Sequence, residues 1–388
     1  MSIYEIGLLG DVTDADCDKL VATIARLISE FDLEVGREVI IRSGETFDRR
    51  NRRAATAVAY FGGTAQADQE LARRALSASL PILPTIPADG EFDALIPDFL
   101  RATNGLQRRP DDPDMLGLSV VLLECLGLLR QQRRVFVSYR RVESRNVAVQ
   151  LHDLLSARGF DVFLDTHDIR PGEPFQDVLW HRLCDSDVMV MLDTPTYFES
   201  KWTRQELGRA RAKEIHVLRV VWPDHTPTKH TDIAETIYLD RTQLNGGEGL
   251  IVDEVVDHVV LAIENLRSRS IAARLMSITG KLRAEVEKIN GEVDGVGAHH
   301  AISLRLLDGT KIWAYPIVGI PTAELLNDVA DKARRAEQSG TPILVYDRIG
   351  IWDQWLEHLK WLDNNISEVR AIPVTEAAFL LAAWETPR

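Results

Sequence analysis

The sequence predicts an α/β protein of three successive units, and three observations carry that expectation. Between residues 134 and 266, short β-branched or aromatic runs alternate with amphipathic helical stretches, which implies a parallel sheet covered by helices on both faces. Residues 1–110 show the same alternation and echo part of the central sequence. Residues 267–388 alternate once more, around a hairpin signal. A chain of 388 residues also exceeds one ordinary domain of roughly 100–200 residues.

In the first unit, "YEIGLLGD", "REVIIRS", "AVAYFGG" and "LPILPTIP" read as strands, and "DADCDKLVATIARLISEF" and "ADQELARRALSAS" as helices. The segment "DQELARRALSASLPILPTIP" aligns without a gap on "RQELGRARAKEIHVLRVVWP". Gln69, Glu70, Leu71, Arg73 and Pro87 then pair with Gln205, Glu206, Leu207, Arg209 and Pro223, at a constant shift of 136 positions. A match this long suggests two copies of one fold. Gln66 stands where the centre has Trp202, and no "SYRR" follows the first strand, so the first copy is expected to be noncatalytic.

Residues 111–133 contain "LGLSVVLLECLGLL", which is shorter than the ~20 residues of a membrane span and carries Glu124. It reads as a buried connecting helix. In the centre, "RRVFVSYRR", "FDVFLD", "DVMVML", "IHVLRVVWP" and "TIYLD" give strands. The helices between them are "ESRNVAVQLHDLLSARG", "FQDVLWHRLCDS" and "YFESKWTRQELGRARAK", and "IVDEVVDHVVLAIENL" closes the unit near residue 266. In residues 267–388 a helix "IAARLMSITGKLRAEVEKIN" precedes a hairpin around Asp308 and Gly309. A helix from about 322 to 338, the strand "PILVYD", the helix "IWDQWLEHLKWLDN", the strand "VRAIPV" and a last helix follow. Trp352, Trp355, Trp361 and Trp384 suit a small core or a ligand pocket. "GVGAHH" lacks the third glycine of a dinucleotide loop, and the adjacent His299 and His300 do not share a helix face as metal ligands would.

A formal net charge of -14 argues against broad nucleic-acid binding, which needs surplus Lys and Arg. Arg42, Arg49, Arg50, Arg52 and Arg53 form one local exception, either a solvated basic face or a hold on a phosphorylated ligand. Cys17, Cys125 and Cys184 lie far apart without CxxC spacing, so no disulfide framework or structural zinc site is expected and a reducing cytoplasm fits best. The opening residues lack the pattern of a signal peptide.

The central motifs "VFVSYRR", "GFDVFLDTHDIRPGEPF", "DSDVMVMLDTPTYFES" and "WTRQELGRA", in this order, resemble a Toll/interleukin-1 receptor (TIR) domain over residues 134–266. Phe136, Val137, Ser138 and Tyr139 match the family's first box, and Pro171 and Gly172 match the turn of its connecting loop. Trp202 and Glu206 match the branch that places a glutamate four residues after a tryptophan. The resemblance implies a flavodoxin-like doubly wound sheet and cleavage of NAD+ between nicotinamide and ribose, with NAD+ as substrate and no cofactor or metal. It further implies a bacterial immune effector, an antiphage role included, that works by self-association of TIR domains in the cytoplasm under control of its flanking units. An infection-derived trigger or nucleotide signal would then activate it.

Chemistry supports the same residues. Ligands of doubly wound sheets bind at the carboxyl ends of the strands, where Ser138, Tyr139, Arg140 and Arg141 fall, and either arginine suits a pyrophosphate. Residues 202 and 206 share a helix face, so Trp202 can wall the Glu206 carboxylate. Nicotinamide leaves NAD+ already charged and needs no proton, so one carboxylate beside the ribosyl cation can suffice. "THDIRPGEPF" reads as a lid, Phe175 as a stacking or anchoring ring, and Asp165 as a candidate behind the primary contacts. Two other readings stay open: a noncatalytic TIR scaffold, and an adaptor whose arginine-bearing first unit binds a nucleotide signal. The three units expected are thus 1–110, 134–266 and 267–388, with 111–133 as the connecting helix between the first two.

Overall fold

The structure is a computed structural model that describes residues 2–103, 105–109, 112, 114–128, 133–164, 175–223, 225–227, 234–245 and 249–384, with the side chains of 175–177 not among them. Among the described residues there are three five-stranded sheets. By packing the chain forms two compact units: one from residues 1–128, 272–348 and 354–388, the other from 129–271 with 349–353.

The first sheet holds β1 (Tyr4–Gly10), β2 (Val39–Ser43), β3 (Ala55–Phe61), β4 (Ile82–Ile86) and β5 (Leu106–Gln107), all parallel, in the order β2-β1-β3-β4-β5. Strands β1 and β3 are buried along their whole length, as continuous apolar runs at a sheet centre should be. Helix α1 (Asp14–Ile28) starts at Thr13, whose hydroxyl accepts from the Asp16 amide at 3.1 Å while Asp16 accepts from the Thr13 amide at 3.4 Å. That reciprocal pair satisfies donors the helix end would otherwise leave unpaired. Helices α2 (Gln69–Ser77), α3 (Phe92–Leu95) and α4 (Leu116–Cys125) complete this segment. The connecting helix is therefore shorter than the run 111–133, beginning after Met115 in the left-handed region.

In the second sheet β6 (Arg134–Ser138), β7 (Asp161–Leu164), β8 (Val188–Asp193), β9 (His216–Val221) and β10 (Glu235–Tyr238) are again all parallel, in the order β7-β6-β8-β9-β10. Written by position in each segment, both sheets run 2-1-3-4-5, the flavodoxin-like order. Alternation along the strands sends Val135, Val137 and Tyr139 into a core with Val147, Leu151 and Val259. It sends Phe136, Met189 and Met191 into a second core with Leu183, Leu207 and Ala210. Helix α5 (Arg141–Ala157) thus covers one face, while α6 (Phe175–Asp185) and α7 (Lys201–Ala212) cover the other.

The stretches expected as two helices around residue 266 form one, α8 (Asp253–Lys288), 36 residues long. The reason is local: "NLRSRSIA" holds neither glycine nor proline, so nothing stops the helix. Its first half is fixed to the second sheet by buried ions. Arg133 donates to Glu264 at 2.7 Å, Arg267 donates to Glu264 at 3.1 Å, and Arg267 meets Asp187 at 3.4 Å.

The third sheet is mixed and runs β11 (Glu292–Val296), β12 (Ile302–Arg305), β13 (Lys311–Pro316), β14 (Ile343–Tyr346), β15 (Arg370–Pro373), in that order. The first two pairings are antiparallel and the last two parallel. Helices α9 (Ala323–Arg335), α10 (Asp353–Asn365) and α11 (Ala377–Ala382) come after β13, β14 and β15 respectively. Trp361 is exposed and Trp355 donates to the Pro321 carbonyl at 2.9 Å, so these two indoles do not fill the core together. Among the described residues no helix is long and apolar enough to cross a membrane.

Candidate active site

The carboxyl ends of β6 and β8 flank the switch point of the second sheet, where the strand order reverses. Ser138 ends β6 on the same face as Phe136, toward α7. Helix α7 begins at Ser200, whose hydroxyl accepts from the Trp202 amide at 3.2 Å. Its inward positions are Thr203, Glu206, Leu207 and Ala210, the spacing of one helix face. Glu206 is therefore carried into the interior by the apolar residues around it, and only 7% of its surface remains exposed.

There it accepts a hydrogen bond from the Ser138 hydroxyl. Tyr197, fully buried, lies with its hydroxyl 2.5 Å from Ser138 Oγ. Ser138 has one proton and gives it to the carboxylate, so Tyr197 is the donor to Ser138. Burial first, and the Glu206 charge second, push the Tyr197 phenol well above its ordinary range, which keeps that proton in place. The result is a short chain of donors ending on Glu206.

Trp202 lies one turn before Glu206 but is 45% exposed, with Lys201 Nζ 5.5 Å from its ring centre. It is placed at the surface and not in the core. Tyr139 belongs to the opposite face, buried with Val135, Val137 and Val147, so the structure does not bring it together with Ser138 and Glu206. Arg140 donates to the Thr196 carbonyl and meets Glu199 at 3.0 Å, tying the start of α5 to the loop before α7. Glu143 reinforces that tie by accepting from the Thr196 amide at 3.3 Å. Arg141 opens α5 and is exposed. Asp165, Pro171 and Gly172 lie outside the described residues, as does the side chain of Phe175, which opens α6.

Three polar residues beside the site, Asp193, His225 and Arg219, are not singled out by the sequence. Asp193 ends β8 fully buried, on the face of Met189 and Met191, and its Oδ1 lies 3.2 Å from Nε2 of His225. Arg219 of β9 is buried on the same face, 3.1 Å from the Thr236 hydroxyl through Nε. Their signal in sequence was faint: an Asp ending an apolar strand and a His three residues after Trp222.

The first sheet treats its strand ends differently. Asp11 accepts from the Ala65 and Ala67 amides at 2.8 and 3.1 Å, and Asp68 accepts from the Gly10 amide at 3.2 Å. Carboxylates of the chain itself thus bind backbone amides at the carboxyl ends of β1 and β3. Glu70, the counterpart of Glu206, is exposed. Of the arginine cluster, Arg42 pairs with the buried Glu5 at 2.9 Å and Arg50 lies 4.6 Å over the Phe47 ring, while Arg49, Arg52 and Arg53 are exposed.

Comparison with known proteins bears on the central segment. Residues 135–250 match the family model described as TIR domain. The TIR segment holds Ser138, Asp193, Tyr197, Glu206 and His225. Over 75 residues the chain is 32% identical to a probable 2' cyclic ADP-D-ribose synthase of Brachypodium distachyon, covering 19% of this chain and 34% of that one. Over 93 residues it is 22% identical to a 2' cyclic ADP-D-ribose synthase of Bacteroides thetaiotaomicron, covering 24% and 32%. A disease resistance-like protein of Arabidopsis thaliana is 33% identical over 96 residues, covering 24% of this chain and 8% of its own. The chain thus spans about a third or less of the length of these curated relatives. A solved metazoan TIR-STING receptor from C. gigas in complex with 2',3'-cGAMP is 11% identical, with a TM-score of 0.26, covering 64% of this chain and 94% of that one.

Proposed function

We propose that the TIR segment cleaves NAD+ at the bond between nicotinamide and ribose, releasing ADP-ribose or a cyclised form of it. The observation that carries this reading is Glu206, an acidic side chain buried at the carboxyl end of the sheet and held there by Ser138. The names of two relatives, a 2' cyclic ADP-D-ribose synthase and a probable one, support it. In the reaction the C1′–N bond breaks and its electron pair passes to the nicotinamide ring, neutralising it. The ribose is left with oxocarbenium character. A carboxylate already fixed beside it stabilises that charge without reorganising, and in a water-poor site the effect is larger than in solution. Trp202 at the rim would wall the nicotinamide end of the ligand, and Arg141 would meet its phosphates.

In this reading the first sheet is a noncatalytic copy, because its strand ends are filled by Asp11 and Asp68. Association of TIR segments would complete the site, in a bacterial immune effector whose other units answer an infection-derived signal. The decisive experiment incubates the purified chain with NAD+, with and without a crowding agent, and follows nicotinamide release beside Glu206→Gln. Release that is equal in the two proteins would remove the proposal. Full turnover in a dilute, demonstrably monomeric sample would remove the part that concerns association.

A further inference from the structure

Asp193 and His225 have no role in the reading above, yet they lie at the same end of the sheet and on the same face as Ser138. Register establishes this for Asp193, since Ser138 pairs with Met191, two residues before it, and the 3.2 Å contact with Asp193 brings His225 to the same end. Side chains two apart on a strand share a face. Tyr197, which donates toward Glu206 through Ser138, lies within electrostatic reach of both Glu206 and Asp193. A buried polar layer therefore runs across β6, β8 and β9 beneath α7.

The pair has the form of a base and its orienting group. Asp193 is fully buried, and its Oδ2 has no hydrogen-bond partner among the described residues. A buried carboxyl held in this way is costly unless the arrangement serves a purpose. A carboxylate Oδ1 only accepts, so the contact is made by a proton on His225 Nε2 and leaves Nδ1 as the ring nitrogen not engaged by Asp193. Burial raises the Asp193 carboxyl above its ordinary value, opposed by His225 and Arg219. His225 is itself 12% exposed, so its ring borders the surface and not the core.

Resting on the proposed NAD+ cleavage, we propose that His225, oriented by Asp193, takes the proton of the hydroxyl that captures the ribosyl cation. The hydroxyl belongs to water or to the substrate. Its oxygen forms the new bond to C1′, its O–H bond breaks, and the proton passes to His225 Nδ1 and then to solvent. Glu206 stabilises the cation and His225 removes the proton, a division of labour between two groups held in different environments.

The test uses a nucleophile that has no proton to lose. Pyridine captures the same cation through nitrogen and yields an exchanged dinucleotide. The full chain is given NAD+ and pyridine, and the ratio of exchanged dinucleotide to linear plus cyclised ADP-ribose is measured. In His225→Gln the ratio should rise by roughly tenfold or more, a modest share of what a positioned base commonly supplies. A side chain with a merely structural role would lower all products together and leave the ratio alone. If His225→Gln does not fold, Asp193→Asn, which keeps the shape of the buried group, should give the same rise. An unchanged ratio overturns the proposal. Glu206→Gln separates the two ideas: a variant still consuming NAD+ at the wild-type rate defeats the reading of the site. An inert Glu206→Gln with an unmoved ratio in His225→Gln defeats this inference alone.

Discussion

Ser138 donates a hydrogen bond to Glu206 across 68 positions of sequence, joining the end of a central strand to the buried face of a helix. The carboxylate is thereby held by a rigid element and not by its own flexible side chain. A hydrogen bond to a charged group contributes about 1.5–3 kcal/mol. Ser138→Ala removes it and loosens the hold on Glu206. We expect kcat for nicotinamide release to fall about tenfold or more, which corresponds to about 1.4 kcal/mol in the barrier. Steady-state kinetics with a matched thermal melt would check it. An unaltered kcat in a folded variant would show that Glu206 needs no anchor.

Tyr197 stands one step further back, donating to Ser138 from a fully buried position. Tyr197→Phe removes the donor but keeps the ring and its edge-on contact with Phe198 at 5.0 Å. The expected loss in kcat is a few-fold, smaller than that of Ser138→Ala, because the link from Ser138 to Glu206 survives. Its phenol stays protonated through the neutral range, so wild-type and variant pH profiles should differ in height and not in shape. A new ionisation appearing in the variant profile would contradict this account of the donor chain.

How much of this was readable in sequence follows from where each partner lies. Helices and central strands of the first two sheets show themselves through local period, and Trp202 and Glu206 through a spacing of four. Tyr197 could not be read, because its partner Ser138 lies 59 positions away and nothing in "TPTYFES" distinguishes a buried phenol from an exposed one. Tyr139 adjoins Ser138 in sequence, yet successive strand residues face opposite sides, so it falls in the other core. Strand β11 was missed because "EVDGV" mixes charges with a glycine and is only partly buried. The sequence places a unit boundary near residue 266, but no residue there breaks helix α8, which runs through it.

The repeat supplies a control. Glu70 aligns with Glu206 in the same topology but is exposed, and its strand ends are occupied by Asp11 and Asp68. Glu70→Gln should leave nicotinamide release unchanged, whereas Glu206→Gln should abolish it. Assaying both in parallel distinguishes loss of a site from general loss of negative charge on helices. Equal loss in the two variants would mean that the copies work together and that the first is not inert.

In the second unit, Glu264 is shared by Arg133 and Arg267, with all three side chains at most 2% exposed. Glu264→Gln keeps the volume but leaves two buried guanidinium groups facing a neutral amide. Removing one partner of a buried ion pair costs about 3–5 kcal/mol. Amide protection in β6 and β8 should fall by a corresponding amount, measured by hydrogen exchange. A loss below about 1 kcal/mol would show that the network fixes the register of α8 without adding much stability.

Glu124 gives a prediction with a defined direction in pH. It lies in the unit formed by residues 1–128, 272–348 and 354–388, where His299 Nδ1 approaches it at 2.6 Å and Lys332 also binds it. Burial alone would raise its carboxyl, but the hydrogen bond and charge of His299, joined by Lys332, outweigh that and hold its pKa at about 2, below the ordinary 4.5. A carboxyl depressed in the folded state binds fewer protons there than in the unfolded chain. Its contribution is therefore complete above pH 4.5 and is lost as pH falls toward 2. The difference between those two values corresponds to about 3 kcal/mol at neutral pH, an upper figure because the histidine and lysine are coupled to it. Glu124→Gln should destabilise this unit at pH 7 by a sizeable part of that amount, and the gap between wild type and variant should narrow progressively below pH 4.5. Urea unfolding at a series of pH values reads both effects. A gap that stays constant down to about pH 2 would mean that Glu124 acts through packing alone and that its charge contributes nothing to holding the first and third sheets in one unit.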